Sequence, residues 1–223
     1  MKRDVPHISR SYNVTTQQVI AVVMCGGKGS RMGRREKPLV EVLGKPLISY
    51  ALNAILCCSA IKGVDFVTST YTPLTTKYLK EVGYEPFVAR GAGFLKDLSE
   101  YLSSKQKGEY LIVSCDVPTL HTYHVQAALD MSKETKGEYV VYVLPYEIVK
   151  GLSKIPTVIK HEEVEYQPAG LRLYRKDREG APDLSTPVYL VLRFRELGVN
   201  VNTLEDIPIA ESFLKRGNNL AKS

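Results

Sequence analysis

The chain has 223 residues, with 30 Lys and Arg against 24 Asp and Glu for a formal net charge of +6, 44% apolar residues and 24% charged ones. That balance excludes disordered and collagen-like chains and suits one large α/β domain. The longest charge-free helical segment, Pro46 to Ile61, holds Ser49, Asn53 and Ser59 and is shorter than the ~20 apolar residues of a membrane span.

Residues 1–17 have no periodicity and no apolar stretch of a signal peptide, so they read as a lead-in. Gln18–Cys25 (QVIAVVMC) is a continuous β-branched run, the mark of a strand buried on both faces. A glycine-rich basic loop follows over Gly26–Lys37, then a helix over Pro46–Ala60 with proline in its first turn. The alternation continues with a strand at Val64–Thr68, a helix at Pro73–Val82, a strand at Glu85–Ala89 and a helix at Phe94–Ser104. After these come a strand at Tyr110–Cys115, a helix at Thr122–Ser132 and a strand at Tyr139–Leu144. Strands and helices at this pitch imply right-handed βαβ units, hence a single Rossmann-like α/β domain with a mostly parallel, helix-flanked sheet.

Residues 145–200 lack a clear helix and carry short β-like runs at Leu171–Tyr174 and Val188–Arg195. They are expected to be a small inserted or edge β segment covering an acceptor site. Glu205–Arg216 closes the domain as a helix capped by Thr203, leaving 217–223 as a tail and 18–216 as the domain proper.

The charge is unevenly placed. Residues 1–37 hold eight basic and two acidic side chains, and the remaining 186 hold 22 of each sign, so the whole excess lies in the first sixth of the chain. Lys28, Arg31, Arg34, Arg35 and Lys37 crowd beside the glycines. A nucleic-acid face would be longer and interleaved with stacking aromatics, whereas a compact basic glycine loop after a strand suits a small polyphosphate. It is not a P-loop: Gly26, Gly27 and Gly29 are followed five residues later by Arg31, Met32 and Arg34, where the pattern needs glycine. Nor is it a dinucleotide fingerprint, because Gly33 falls one place late and Thr68, Ser69 and Thr70 stand where an acid would close the second strand. The four cysteines, Cys25, Cys57, Cys58 and Cys115, form no CxxC pair, which suggests neither zinc knuckle nor disulfide framework and a reducing, cytoplasmic compartment.

The loop Gly26-Gly27-Lys28-Gly29-Ser30-Arg31-Met32-Gly33, followed by Lys37-Pro38-Leu39 and Gly44-Lys45-Pro46-Leu47, resembles the nucleotidyltransferase signature GGxGxRM…KPL…GKPL. The resemblance implies that Gly26, Gly27, Lys28, Gly29, Ser30, Arg31 and Lys37 bind a nucleoside triphosphate, with Lys37 near the α-phosphorus. Such chemistry needs a divalent cation, and magnesium favours one or two carboxylates plus phosphate oxygens. Asp116 ends a buried strand before Val117-Pro118. Alone it is as good a turn aspartate; beside the signature it resembles the superfamily's metal-binding aspartate. Asn200-Val201-Asn202-Thr203-Leu204-Glu205-Asp206 resembles the N-x-N-T-x-E-D segment of its guanylyltransferases, which puts Asn202 beside the metal and leaves Thr203 and Asp206 to start the last helix.

Arg90-Gly91-Ala92-Gly93 corresponds to the superfamily's loop around base and ribose. Gly91 and Gly93 are candidates there. Asp97 is a candidate acceptor for guanine N1 and N2, against the plainer reading of a solvated carboxylate in a helix's first turn. Pro168-Ala169-Gly170 matches a proline–x–glycine turn, which would bring Gly170 against nucleotide or acceptor. With the compact layout, these segments resemble the family of archaeal GTP:adenosylcobinamide-phosphate guanylyltransferases over residues 18–216. That resemblance implies transfer of GMP from GTP to a phosphorylated corrinoid by Lys37, Arg31 and Asp116 with magnesium, without nucleic acid, and it leaves a homodimer open. Molybdenum-cofactor guanylyltransferases share the loop but tend to have Lys-Gly where Lys37-Pro38 stands. A GTP-binding regulatory module would need neither Lys37 nor Asp116. Cys25 and Cys115 read as buried small hydrophobes, and His121, His124 and His161 as surface or packing residues.

Overall fold

The structure is a computed structural model that describes residues 19–33 and 35–220, without the side chains of 217–220. The expected lead-in at 1–17 lies outside the described residues, as do Arg34 and residues 221–223.

β1 (Val19–Met24) is apolar and buried, and pairs in parallel with β4 (Ile61–Ser69) on one side and β6 (Gly108–Ser114) on the other. Between β1 and β4 come the glycine-rich loop, a 3-10 turn at Lys37–Leu39, a hairpin of β2 (Glu41–Val42) and β3 (Lys45–Pro46), and α1 (Leu47–Leu56). α1 is shorter than its pattern suggested, because Pro46 stands before the helix as its cap and the chain leaves it at Cys57. α2 (Pro73–Glu81), β5 (Phe87–Ala89), α3 (Phe94–Ser103), α4 (Thr122–Ser132) and β7 (Tyr139–Pro145) fall close to expectation. α1 and α4 pack with Leu79 of α2 on one face of the sheet, while Leu98, Tyr101 and Leu102 of α3 cover the other. No described helix is long and apolar enough to cross a membrane.

Beyond Pro145 come a single turn α5 (Tyr146–Val149), β8 (Ile159–His161), β9 (Val164–Lys176), β10 (Val188–Val191) and, after a 3-10 turn at Leu204–Asp206, α6 (Ile207–Leu220). Here the expectation of an edge or inserted segment is corrected. The sheet order is β10-β7-β9-β6-β1-β4-β5, and β9, with 13 residues, lies antiparallel between β6 and β7. Of the strands beyond Pro145, β8 and β10 are peripheral. Three basic residues disguise β9, and two of them are paired inside the fold. Arg175 holds Glu109 at 2.9 Å and donates to the carbonyls of Gly137 and Ser132. Lys176 donates to the carbonyls of Leu102 and Lys105, each at 2.6 Å.

From β1 the chain moves outward through β4 to β5, then returns to lay β6 on the other side of β1. The loops leaving β1 and β6 therefore diverge, which opens a crevice at the carboxyl ends of these two strands.

Candidate active site

The glycine-rich loop is held at both ends. Cys25 N–H donates to the Val67 carbonyl at 2.7 Å, and Met32, 1% exposed, plugs the loop into the core. Between them the chain turns tightly, with Met32 N–H on the Gly29 carbonyl and Gly29 and Gly33 at φ of 58° and 61°, a conformation that glycine adopts without a Cβ penalty. A Cβ on Gly26 would lie 3.3 Å from Ser69 Cβ, so the loop runs close over the end of β4. Glu36 fixes the far end: its carboxylate accepts the backbone N–H groups of Leu74 and Thr75 and the Thr75 hydroxyl. It thereby caps the first turn of α2, a favourable place for a negative charge. No local pattern signals this clamp, because the partners are 38 and 39 residues apart.

Lys37 follows at once, and its ammonium lies 3.0 Å from Asp116 Oδ2 and 3.0 Å from Asn202 Oδ1. Burial works against its charge, but Asp116 outweighs that and raises the lysine pKa, so Lys37 is protonated throughout the physiological range. Asp116 stands just beyond β6. Its second oxygen accepts Asn200 Nδ2 at 3.4 Å, and its carbonyl accepts Val201 N–H at 2.9 Å. Asn202 is locked by its neighbours: Nδ2 donates to the Ile155 carbonyl at 3.1 Å, which turns Oδ1 toward Lys37. Its backbone N–H donates to Asp206, whose carboxylate also accepts Thr203 N–H, the Thr203 hydroxyl, Lys154 N–H and the Ser153 hydroxyl. The structural roles expected of Thr203 and Asp206 are the ones they have.

Gly26, Gly27, Gly29, Ser30, Arg31, Lys37, Asp116 and Asn202 line one cavity of about 280 Å³. Cys25 and Cys115 also line it; burial, with help from Cys115, pushes the Cys25 thiol well up, so it is a poor nucleophile. A second chamber of about 350 Å³ shares Gly26, Gly27 and Phe94 with the first and adds Lys28, Tyr71, Gly91, Ala92, Gly93 and Asp97. Asp97 is not the solvated carboxylate of the plainer reading: it is 4% exposed, with Oδ1 accepting Ala92 N–H at 2.9 Å. Tyr71 was missed by sequence reasoning. Its ring packs so closely on Gly91, at φ 78°, that a Cβ there would lie 2.6 Å from it, and Lys28 Nζ sits 5.2 Å from the ring centroid. Gly170 is the one candidate that lines neither chamber. At φ 79° it backs the Asp116 turn, where a Cβ would come 2.8 Å from Val117.

The cleft thus presents Lys28, Arg31 and Lys37 with backbone N–H groups on one side and Asp116 with amides on the other. Among the described residues no three His, Cys, Asp or Glu side chains gather to hold a metal by themselves. Asp116 Oδ2 and Asn202 Oδ1 nevertheless converge on one cation, the Lys37 ammonium. That hard oxygen pair suits a divalent ion whose remaining ligands are phosphate oxygens and water.

A sequence model of the MobA-like NTP transferase domain matches residues 21–182. The chain is 28% identical over 209 residues, 88% of its length and 97% of the relative's, to adenosylcobinamide-phosphate guanylyltransferase of Methanocaldococcus jannaschii. It is 36% identical over 103 residues, 46% of its length and 50% of the relative's, to a probable molybdenum cofactor guanylyltransferase of Pyrococcus horikoshii. Among solved structures, CMP:2-keto-3-deoxy-manno-octonic acid synthetase complexed with CTP matches 90% of this chain and 100% of its own, with a TM-score of 0.65 at 14% identity. That likeness speaks for the fold.

Proposed function

The chain belongs to the family of MobA-like NTP transferase domains, and from that premise we propose that it transfers GMP from GTP to the phosphate of adenosylcobinamide phosphate, releasing pyrophosphate and forming adenosylcobinamide-GDP. The observation that carries the reading is the convergence of Lys37, Asp116 and Asn202, from three distant parts of the chain, beside the glycine-rich loop. The full-length match to the Methanocaldococcus relative supports the choice of acceptor.

The loop N–H groups with Lys28 and Arg31 bind the triphosphate, and Lys37 neutralises oxygens at the α-phosphorus. Asp116 and Asn202 would hold magnesium, which would supply positive charge beside the phosphate oxygens. The acceptor phosphate is already an anion, so no strong general base is required, and catalysis is positioning plus charge neutralisation. In the second chamber, Gly91 and Gly93 let backbone approach base and ribose. The free oxygen of Asp97 accepts from guanine N1–H and N2–H, whereas adenine offers an unprotonated N1 in the same place. Gly170 acts one step back, by leaving room for the Asp116 turn.

The test is a transfer assay with magnesium, adenosylcobinamide phosphate and GTP, ATP, CTP or UTP in turn, read by mass spectrometry. A GDP-corrinoid formed with GTP alone is the expected result. Absence of product, together with thermal stabilisation by GTP, would move the acceptor elsewhere. The shorter 36% match makes the molybdenum cofactor the second acceptor to try.

A further inference from the structure

Arg172 is placed against the grain of its surroundings. It lies on β9 opposite Ile112 of β6 and Val141 of β7, both buried and apolar. The other basic residues of β9 that reach inside, Arg175 and Lys176, hold carboxylate or carbonyl partners. Among the described residues Arg172 Nη1 is closed to water without a hydrogen-bond partner, and no carboxylate lies within ion-pair distance of the guanidinium. Its carbon sits 4.2 Å from the ring centroid of Phe94, which lines both chambers of the cleft. Burial lowers its pKa, while the Tyr139 hydroxyl, within hydrogen-bond reach of the guanidinium, and the charge of Asp116 work the other way; Nη1 is the donor left over.

A desolvated cation without an anion is costly, and a local rule broken in this way marks a functional position. A guanidinium packed over a ring keeps the N–H groups that no other partner takes for an anion, and phosphate suits a guanidinium's donors. We propose that Arg172 binds the phosphate of the acceptor. The reaction brings two polyanions together. The loop cations Lys28, Arg31 and Lys37 all follow β1 and serve the triphosphate, whereas Arg172 comes from β9, on the far side of β6. It therefore neutralises the incoming anion from a different wall. The proposal rests on the phosphoryl-transfer reading of the cleft but not on the identity of the acceptor.

Inorganic phosphate is the probe that separates the two. Titrated by calorimetry into protein saturated with GTP and magnesium, it binds the wild type. Arg172→Met weakens this binding roughly 10- to 100-fold, Arg172→Lys weakens it less, and the GTP dissociation constant stays within about twofold. In the transfer assay Arg172→Met raises the acceptor KM by a similar factor while the GTP KM holds. Phosphate binding seen in the wild type and lost in Arg172→Met supports the proposal even where adenosylcobinamide phosphate is not turned over, in which case only the acceptor assignment fails. The proposal is overturned by a wild type that binds no phosphate, by equal phosphate affinity in Arg172→Met, or by a parallel loss of GTP affinity. A merely structural role would lower the melting temperature and leave the phosphate affinity of the folded protein unchanged.

Discussion

The two walls of the cleft are built by different means. The wall after β1 is a glycine-rich loop whose Lys28 and Arg31 stand exposed, held at its ends by Cys25 N–H on the Val67 carbonyl, by Met32 in the core and by Glu36 on the first turn of α2. The facing wall, formed by residues 153–155 and 200–206, is loop and a short 3-10 turn, yet its polar groups are tied one to another. Asp206 alone accepts five hydrogen bonds, and through Asn202 it fixes the amide that faces Lys37. On the proposed reaction, the first wall adapts to the triphosphate and the second sets where its α-phosphorus lies. The difference shows that regular secondary structure and preorganisation are separate properties, since catalysis by positioning depends on locked hydrogen bonds.

Removing the groups at which the walls meet should have the largest effect. Asp116→Ala and Lys37→Ala are each expected to cut kcat by roughly 10²- to 10⁴-fold, with the melting temperature little changed; normal turnover in either variant would break the site assignment. Next comes the second wall's anchor. Asp206→Ala leaves several donors without their acceptor, so unfolding in urea should reveal a loss of about 2–4 kcal/mol, with lower kcat as Asn202 loses its support. If activity fell while stability held, Asp206 would act in the site directly.

A smaller effect is expected in the base chamber. Asp97→Asn keeps an oxygen for Ala92 N–H but loses the charge, and the preference for GTP over ATP, measured as kcat/KM, should fall by roughly tenfold or more. An unchanged ratio would take the base away from Asp97.

The smallest effect is a pH dependence of stability in the segment that leads to the second wall. His124 is fully buried, its Nε2 3.0 Å from Glu196, which also accepts the Tyr123 hydroxyl. Burial lowers the His124 pKa below 6.5, although Glu196 opposes the shift. Between about 6.5 and the folded value the unfolded chain binds more protons, so stability drops as pH falls through that window and is unaffected above it. The melting temperature should decline by a few degrees from pH 7 to 5.5, and His124→Gln should flatten the slope. Equal slopes would assign the acid sensitivity elsewhere.

The βαβ alternation, the strand β1 and the basic glycine loop were legible in the sequence because each is written within a dozen neighbouring residues, as β-branched runs, helical periodicity and glycine beside positive charge. Asp116 and Asn202 were legible only by resemblance, since a lone turn aspartate has no chemistry of its own. β9 was misjudged because its basic residues look like surface. Their partners Glu109, Leu102 and Lys105 lie 66 to 74 residues away, and no local pattern reports such pairing. Glu36 and Tyr71 escaped notice for the same reason, each being defined by what it touches across the chain.

A helix-flanked, mostly parallel sheet and the place of a basic glycine loop on it follow from the chain's local pattern, because propensity, periodicity and glycine geometry act among near neighbours. That β9 lies inside the sheet, that Asp97 is buried, that Gly170 packs behind the Asp116 turn, and that Arg172 has no carboxylate partner among the described residues emerge only from the folded chain. Those outcomes depend on which distant groups desolvate or satisfy one another, and that is settled when the chain closes on itself.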